Sequence, residues 1–351
     1  MTKNNKIIIV NWLLTRRCNL KCSYCGIVRD NPISQKKISD YESDEMTTEY
    51  VINMLRRFKK HNPNMFHIFY GGEPLLRDDL AEIINFCNNS KIFYTIITNN
   101  SDGIQDRMKK LMDDVKFISG LTSSVDPIIF QPDINKNSDR YKKSIMGLER
   151  LIALKGKVND LVAEITIDSQ NIFYIDKLVK ELCENDISCS ITFIDIAKNN
   201  FYDFSNVTNR NLMVGPSREV KDILSGLVSM YGEKIHMGME LISKVHSILP
   251  AEYDCKLEES LHNLTIDSDG AIRVCLRIGY YDCQKYYIDE FLDSTGEINF
   301  KLLQAYLGYA KAFTCEGCNW TCPIMSENIL NNISNNQSLL HLDKRKVKKE
   351  N

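Results

Sequence analysis

Ile7-Ile8-Ile9-Val10-Asn11-Trp12-Leu13-Leu14 is followed, after Thr15-Arg16-Arg17, by Cys18-Asn19-Leu20-Lys21-Cys22-Ser23-Tyr24-Cys25. The first run is β-branched and apolar and ends in polar residues, which reads as a strand. The second places three thiols at C-x3-C-x2-C spacing on the loop beyond it. A loop this short can fold round and aim three sulfurs at one point. Three thiolates leave structural zinc one ligand short. They suit a four-iron cluster with one iron left open. A zinc knuckle is the competing reading of the spacing.

Outward from this stretch, strand-like and helix-like segments alternate. Met65 to Tyr70, Lys91 to Thr98, Phe117 to Thr122, Leu161 to Ile167 and Ser188 to Ile194 read as further strands. Val51, Leu55 and Phe58 recur at helical spacing behind a cap at Thr47 or Thr48. Leu80, Ile83, Ile84 and Cys87 share one helical face, as do Ile145, Leu148 and Ile152, and Ile175, Leu178, Val179 and Leu182. Alternation of this kind implies a parallel sheet. The fold class expected is α/β: a partial (β/α)6 TIM-like barrel, with chemistry at the C-terminal ends of its strands.

The pattern changes near residue 199. Residues 1–198 form the expected barrel, 199–250 a connecting helical insert, 251–325 a small cysteine-rich hairpin-plus-helix module, and 326–351 a polar, basic tail. Helices are expected near Val220 to Tyr231 and Gly238 to Ile248. Asp267-Ser268-Asp269-Gly270, between Leu264-Thr265-Ile266 and Ala271-Ile272-Arg273-Val274, signals a hairpin.

The chain has 351 residues, with 43% hydrophobic and 26% charged and a formal net charge of −2. That balance gives no reason to expect nucleic acid or an anionic membrane as partner. No run of about 18 apolar residues marks a membrane span, and the N-terminus lacks a secretory signal pattern. A cytoplasmic location follows as an expectation. Twelve cysteines are unexpected there, because a reducing cytosol does not favour disulfides. Close-spaced sets point instead to metal or redox chemistry.

Phe69-Tyr70-Gly71-Gly72-Glu73-Pro74 ends the second strand. With the Cys18, Cys22, Cys25 set and Tyr24 as the aromatic before its last cysteine, it resembles the radical S-adenosylmethionine superfamily and its G-G-E-P motif. The resemblance implies a four-iron cluster on Cys18, Cys22 and Cys25 that binds S-adenosylmethionine at its open iron. It also implies reductive cleavage to a 5′-deoxyadenosyl radical, hydrogen abstraction from a substrate, and an electron donor such as flavodoxin or ferredoxin. Gly71, Gly72, Glu73 and Pro74 would contact the cofactor's amino group. The physics agrees: glycines allow close backbone approach, and oxygen acceptors suit an ammonium. Ser124 or Asp126, after the fourth strand, would hold the ribose. Arg140 would meet the methionyl carboxylate, which a guanidinium suits. Asn99, after the third strand, would line the same pocket. Each of these last four also has a plain reading as cap, surface charge or turn.

Cys255, Gly270 and Cys275, with Cys315-Glu316-Gly317-Cys318-Asn319-Trp320-Thr321-Cys322 beyond them, resemble the opening of the SPASM and twitch modules. The downstream cysteines of a full SPASM module are missing. Six thiols from Cys255 onward, counting Cys283, are too few to ligate two clusters fully. One auxiliary four-iron cluster is therefore expected on Cys255, Cys275, Cys315 and Cys318, with Cys322 as an alternative ligand. A zinc site on the same residues is the competing reading. Cys283 or Cys322 is a candidate hydrogen-atom donor, whereas Cys87, Cys183 and Cys189 read as core residues. Three functional readings stay in play, in order: a peptide to be oxidised, crosslinked or epimerised; a small molecule to be dehydrogenated; or, against the resemblance, a non-enzymatic zinc-stabilised binding module.

Overall fold

The computed structural model describes residues 9–20, 22, 25, 44–193, 214, 218–232, 234–236, 263–273 and 285–314, with backbone alone for Asp139, Arg140, Lys143, Phe193 and residues 311–314. The expected helix at Gly238 to Ile248, Tyr24, the C-terminal tail and all six cysteines from Cys255 onward lie outside the described residues.

The strands expected in the first half are present: β1 (Ile9–Thr15), β2 (Phe66–Gly71), β3 (Phe93–Thr98), β4 (Ile118–Val125), β5 (Val158–Ile167) and β6 (Ser188–Phe193). They pair in parallel in chain order from β1 to β6. Between them run α1 (Thr48–His61), α2 (Leu80–Asn89), α3 (Gln105–Asp114), α4 (Asp139–Ala153) and α5 (Ile175–Glu184). This is the partial TIM-like barrel that the alternation implied. Thr47 caps α1, its side chain accepting from Tyr50 N at 3.2 Å. That satisfies one of the donors left over at a helix start.

Two apolar cores line the helix-covered outer face of the sheet. One packs Trp12, Leu14, Phe69 and Ile96 of the strands against α1, α2 and α3. The other packs Ala163, Ile165, Cys189 and Ile191 against Leu151 of α4, Ile175, Leu178, Val179 and Leu182 of α5, and Leu224 and Leu227 of α6 (Arg218–Tyr231). Burying each large aliphatic side chain contributes about 1.5–3 kcal/mol, so these stripes fix which side of the sheet faces the helices. Trp12 is fully buried, and its indole N–H donates to His67 Nδ1 at 3.0 Å. Burial holds the His67 imidazole well below its usual range, at about 3, so it stays a neutral acceptor for the indole. Cys87 and Cys189 are buried in these cores, as expected.

The expected hairpin is present as β7 (Asn263–Ile266) and β8 (Ala271–Arg273), with Gly270 at φ +88° in the turn. It does not stand apart from the barrel. β7 pairs in parallel with β1, Trp12 lying opposite Ile266, so the sheet runs β6-β5-β4-β3-β2-β1-β7-β8-β9. At the edge of that sheet, among the described residues, lies β9 (Tyr286–Tyr287). Helix α7 (Phe300–Thr314) buries Leu303 and Leu307 in the core shared with α1. Among the described residues no helix is long and apolar enough to cross a membrane.

Candidate active site

Cys18 follows β1, Gly72 follows β2, Asn99 follows β3 and Asp126 follows β4. The sequence-predicted residues thus gather at the C-terminal ends of parallel strands, where barrels of this kind place their chemistry.

The cysteine loop is tied first to the end of β2. Gly72 N donates to Thr15 O at 2.7 Å and Glu73 N to Arg17 O at 2.8 Å. These bonds bring two backbones into direct contact. A Cβ on Gly71 would lie 2.3 Å from Thr15 O, and one on Gly72 would lie 2.1 Å from Arg17 O. Both glycines are therefore required by the cysteine loop itself, a reason the sequence reading did not give.

Glu73 ties the loop to β3. Its side chain is fully buried and caps the short turn of 3-10 helix Pro74–Leu76, accepting from Leu75 N at 3.1 Å. It also accepts from Thr98 Oγ1 at 2.9 Å and Asn99 N at 2.8 Å. Hydrogen bonds of this kind are what make a buried carboxylate tolerable. Pro74, buried at the first position of that turn, lacks an N–H and leaves no donor to satisfy there.

Asn99 completes the bracing. Its Nδ2 donates to Asn19 Oδ1 at 2.9 Å and reaches Cys18 Sγ at 3.6 Å, while its Oδ1 accepts from Ser101 N at 3.0 Å. Asn19 Nδ2 donates to Ser101 Oγ at 2.7 Å. Cys18 Sγ also receives Leu20 N at 3.4 Å. Two N–H groups aimed at one sulfur suit a metal-bound thiolate, whose orientation and basicity such donors set. Cys22 and Cys25 are half-buried thiols in no disulfide, and Cys25 N donates to Cys22 O at 3.1 Å.

Burial pushes the Cys18 thiol up to about 12; the Leu20 N–H opposes this, while Glu73, Cys25 and Cys22 add to it. The metal-free thiol is therefore protonated at neutral pH, and loading a metal there releases a proton. Among the described residues no three His, Cys, Asp or Glu side chains are placed to hold a single metal ion. A four-iron cluster asks for something wider, because each thiolate binds a different iron. The three thiols on one short loop, in no disulfide and with N–H donors aimed at the first, fit that group.

Charged residues that the sequence reading passed over anchor the loop's near end. Arg17 donates to Glu45 from Nε at 3.0 Å and Nη2 at 2.9 Å. Arg77, almost fully buried, donates to Leu14 O at 3.0 Å and Met46 O at 2.9 Å. Arg16 Nη2 reaches Asp267 Oδ1 at 2.7 Å and Oδ2 at 2.6 Å, and Met46 N donates to Ser268 O at 2.6 Å. The turn of the C-terminal hairpin is thereby bound to the entry of the cysteine loop. No local spacing links Arg16 to Asp267; the pairing of β7 with β1 does.

The remaining predicted residues divide. Ser124 lies half-exposed on the inner face of β4, opposite Glu164 of β5. Asp126 is buried; its Oδ1 accepts from Ile128 N at 3.1 Å and Asn171 Nδ2 at 2.8 Å, so that oxygen caps a turn. Arg140 lies in the first turn of α4, its side chain outside the described residues. Tyr24 and the cysteines from Cys255 to Cys322 are likewise outside them.

Residues 12–184, spanning β1 to α5, match the radical SAM superfamily. The chain carries a radical SAM domain. GTP 3',8-cyclase of Staphylococcus saprophyticus is 26% identical over 271 residues, 75% of this chain and 76% of its own length. That of Staphylococcus carnosus is 28% identical over 231 residues, 63% of this chain and 64% of its own length. Among solved structures, Streptococcus suis SuiB bound to S-adenosylmethionine superposes with a TM-score of 0.56 at 16% identity, over 81% of this chain. SuiB bound to its precursor peptide SuiA superposes at 0.54. The chain spans 63% of the first SuiB structure and 62% of the second. At such identity the likeness to SuiB is one of fold.

Proposed function

We propose that this radical SAM enzyme cleaves S-adenosylmethionine reductively to a 5′-deoxyadenosyl radical, which removes a hydrogen atom from a peptide. The observation that carries the reading is the bracing of the Cys18 loop by the Gly71–Gly72 backbone, Glu73 and Asn99 at the mouth of the barrel. When bound, a four-iron cluster on Cys18, Cys22 and Cys25 supplies an electron and an open iron.

The chain's own residues hold and orient. The backbone after Gly72 receives the methionyl amino group, Ser124 a ribose hydroxyl, and Arg140 the methionyl carboxylate. The electron comes from a flavodoxin or ferredoxin. One auxiliary cluster is assigned to Cys255, Cys275, Cys315 and Cys318, with Cys322 as alternative ligand. We place this chemistry in the cytoplasm, where thiols stay reduced.

A peptide substrate is supported by the SuiB fold, seen with a precursor peptide. The name of the staphylococcal relatives favours a second reading, a small-molecule substrate. The test is anaerobic turnover of the reconstituted protein with synthetic peptides encoded beside its gene, and separately with GTP. Faster 5′-deoxyadenosine formation and a mass change on a peptide are expected. Stimulation by GTP alone, with GTP consumed, would carry the second reading instead.

A further inference from the structure

We propose that Glu164, on the inner face of the barrel, binds a cationic side chain of the substrate, an ammonium or guanidinium. The inference rests on the peptide reading and adds to it a charge preference. Glu164 stands in the middle of β5 between Ala163 and Ile165, both of which face the helices in the second core. Successive strand residues point to opposite faces, so the Glu164 carboxyl points into the barrel. Its register neighbours are Ser124 of β4 on one side and Ser190 of β6 on the other. Ser190 and Thr192 both hydrogen-bond to the carboxyl, Thr192 through its Oγ1 to Oε1. The result is a polar row across three strands, on the same face as the candidate ribose contact Ser124.

Glu73 is held by two backbone N–H groups and a hydroxyl, whereas the Thr192 and Ser190 hydroxyls meet Glu164. Among the described residues no cation faces it: β4 presents Ser124, and β6 presents Ser190 and Thr192. The Cys189 thiol, on the opposite, core-facing side of β6, is pushed up by burial and stays protonated. Glu164 also keeps part of its surface accessible although protein surrounds it, as befits a group lining a cavity. Burial pushes the carboxyl up to about 7, against the pull of the Thr192 and Ser190 hydroxyls. A carboxyl so placed lowers stability once ionised, because the unfolded chain gives up its proton near 4.5 and the folded chain only near 7. A cation docked beside it would remove that cost and return the carboxyl to its charged form.

The test uses the full-length, cluster-reconstituted protein and three calorimetric probes: the N-acetyl amides of lysine, arginine and glutamine. At pH 8 the lysine or arginine amide should bind about tenfold or more tightly than the glutamine amide, as expected for a charge-assisted hydrogen bond. That preference should vanish in Glu164→Gln, and in the wild type at pH 5.5. The melting temperature of the wild type should also fall more than that of Glu164→Gln between pH 5 and pH 8. Equal affinity of the wild type for all three amides overturns the proposal, as does cation binding unchanged in Glu164→Gln. Displacement of the lysine amide by S-adenosylmethionine would assign the carboxyl to the cofactor and overturn it too. Wild-type 5′-deoxyadenosine formation on the same preparation reports separately: an active enzyme that ignores the cationic amides sinks this inference and leaves the radical reading standing.

Discussion

Replacement of Cys18 by alanine is expected to abolish 5′-deoxyadenosine formation while leaving the barrel folded. With two thiols left on the loop, a cluster that needs three protein ligands and an open iron has no stable seat. Cys18 lies outside both apolar cores, so melting temperature and far-ultraviolet circular dichroism should change little. The fall in turnover should exceed about 100-fold, the upper end of what losing a mere hydrogen-bond partner of a ligand costs. Asn99→Ala provides the scale. It removes one N–H donor to Cys18 Sγ and the bond to Asn19, and should lower iron retention by about 10–100-fold. Turnover in Cys18→Ala within tenfold of the wild type would mean that Cys18 is not a ligand.

The second large effect belongs to Gly72→Ala. The new Cβ would lie 2.1 Å from Arg17 O, 2.6 Å from Arg17 C and 2.7 Å from Arg16 O. All three are backbone atoms, so no rotamer change relieves the overlap; the cysteine loop must move. The bonds from Gly72 N to Thr15 O and from Glu73 N to Arg17 O go with it. A cost of about 3 kcal/mol or more is expected, read as a fall in melting temperature of roughly 4 °C or more, together with loss of iron. Gly156→Ala is the control. Its Cβ meets nothing within 4 Å, and only the φ of +82° resists it, at about 1–2 kcal/mol. Unchanged stability and iron content in Gly72→Ala, with weakened S-adenosylmethionine binding alone, would show that this glycine serves the ligand and not the loop.

Much of the architecture was legible because the strands announce themselves locally. Ile9 to Leu14 and Ile165 to Ile167 carry the β-branched and apolar residues that a buried parallel strand needs. β4 runs three residues past the expected end at Thr122, through Ser123, Ser124 and Val125. Its polar residues looked like a loop, but Ser124 faces the polar barrel interior while Val125 packs in the second core. α3 went unread because Met108 and Leu111 are the only side chains it buries, too few to make a period. The hairpin was visible in Asp267 to Gly270, yet its place beside β1 was not. A parallel pairing of Trp12 with Ile266 leaves no mark within either segment.

The candidate site was legible as a set of residues and less so as a set of roles. Cys18, Gly72, Glu73 and Asn99 do gather at the strand ends. Glu73, read as an acceptor for an ammonium, places its carboxylate on Leu75 N, Thr98 Oγ1 and Asn99 N. Asn99, read as a pocket wall, braces the cysteine loop. Both roles depend on which backbone N–H groups the fold leaves over at the ends of β2 and β3, and that is decided by tertiary packing. Glu164 carried a sequence signal that went unread: one charged residue inside Leu161-Val162-Ala163-Glu164-Ile165-Thr166-Ile167.

Metal analysis of the full-length protein, purified without oxygen, meets the central claim most directly. Iron and acid-labile sulfide are expected at about four each per chain for the Cys18 loop alone, or about eight each with the auxiliary cluster filled; Cys18→Ala should lack the share belonging to the loop. Zinc bound at that loop, with no iron there, would contradict the account.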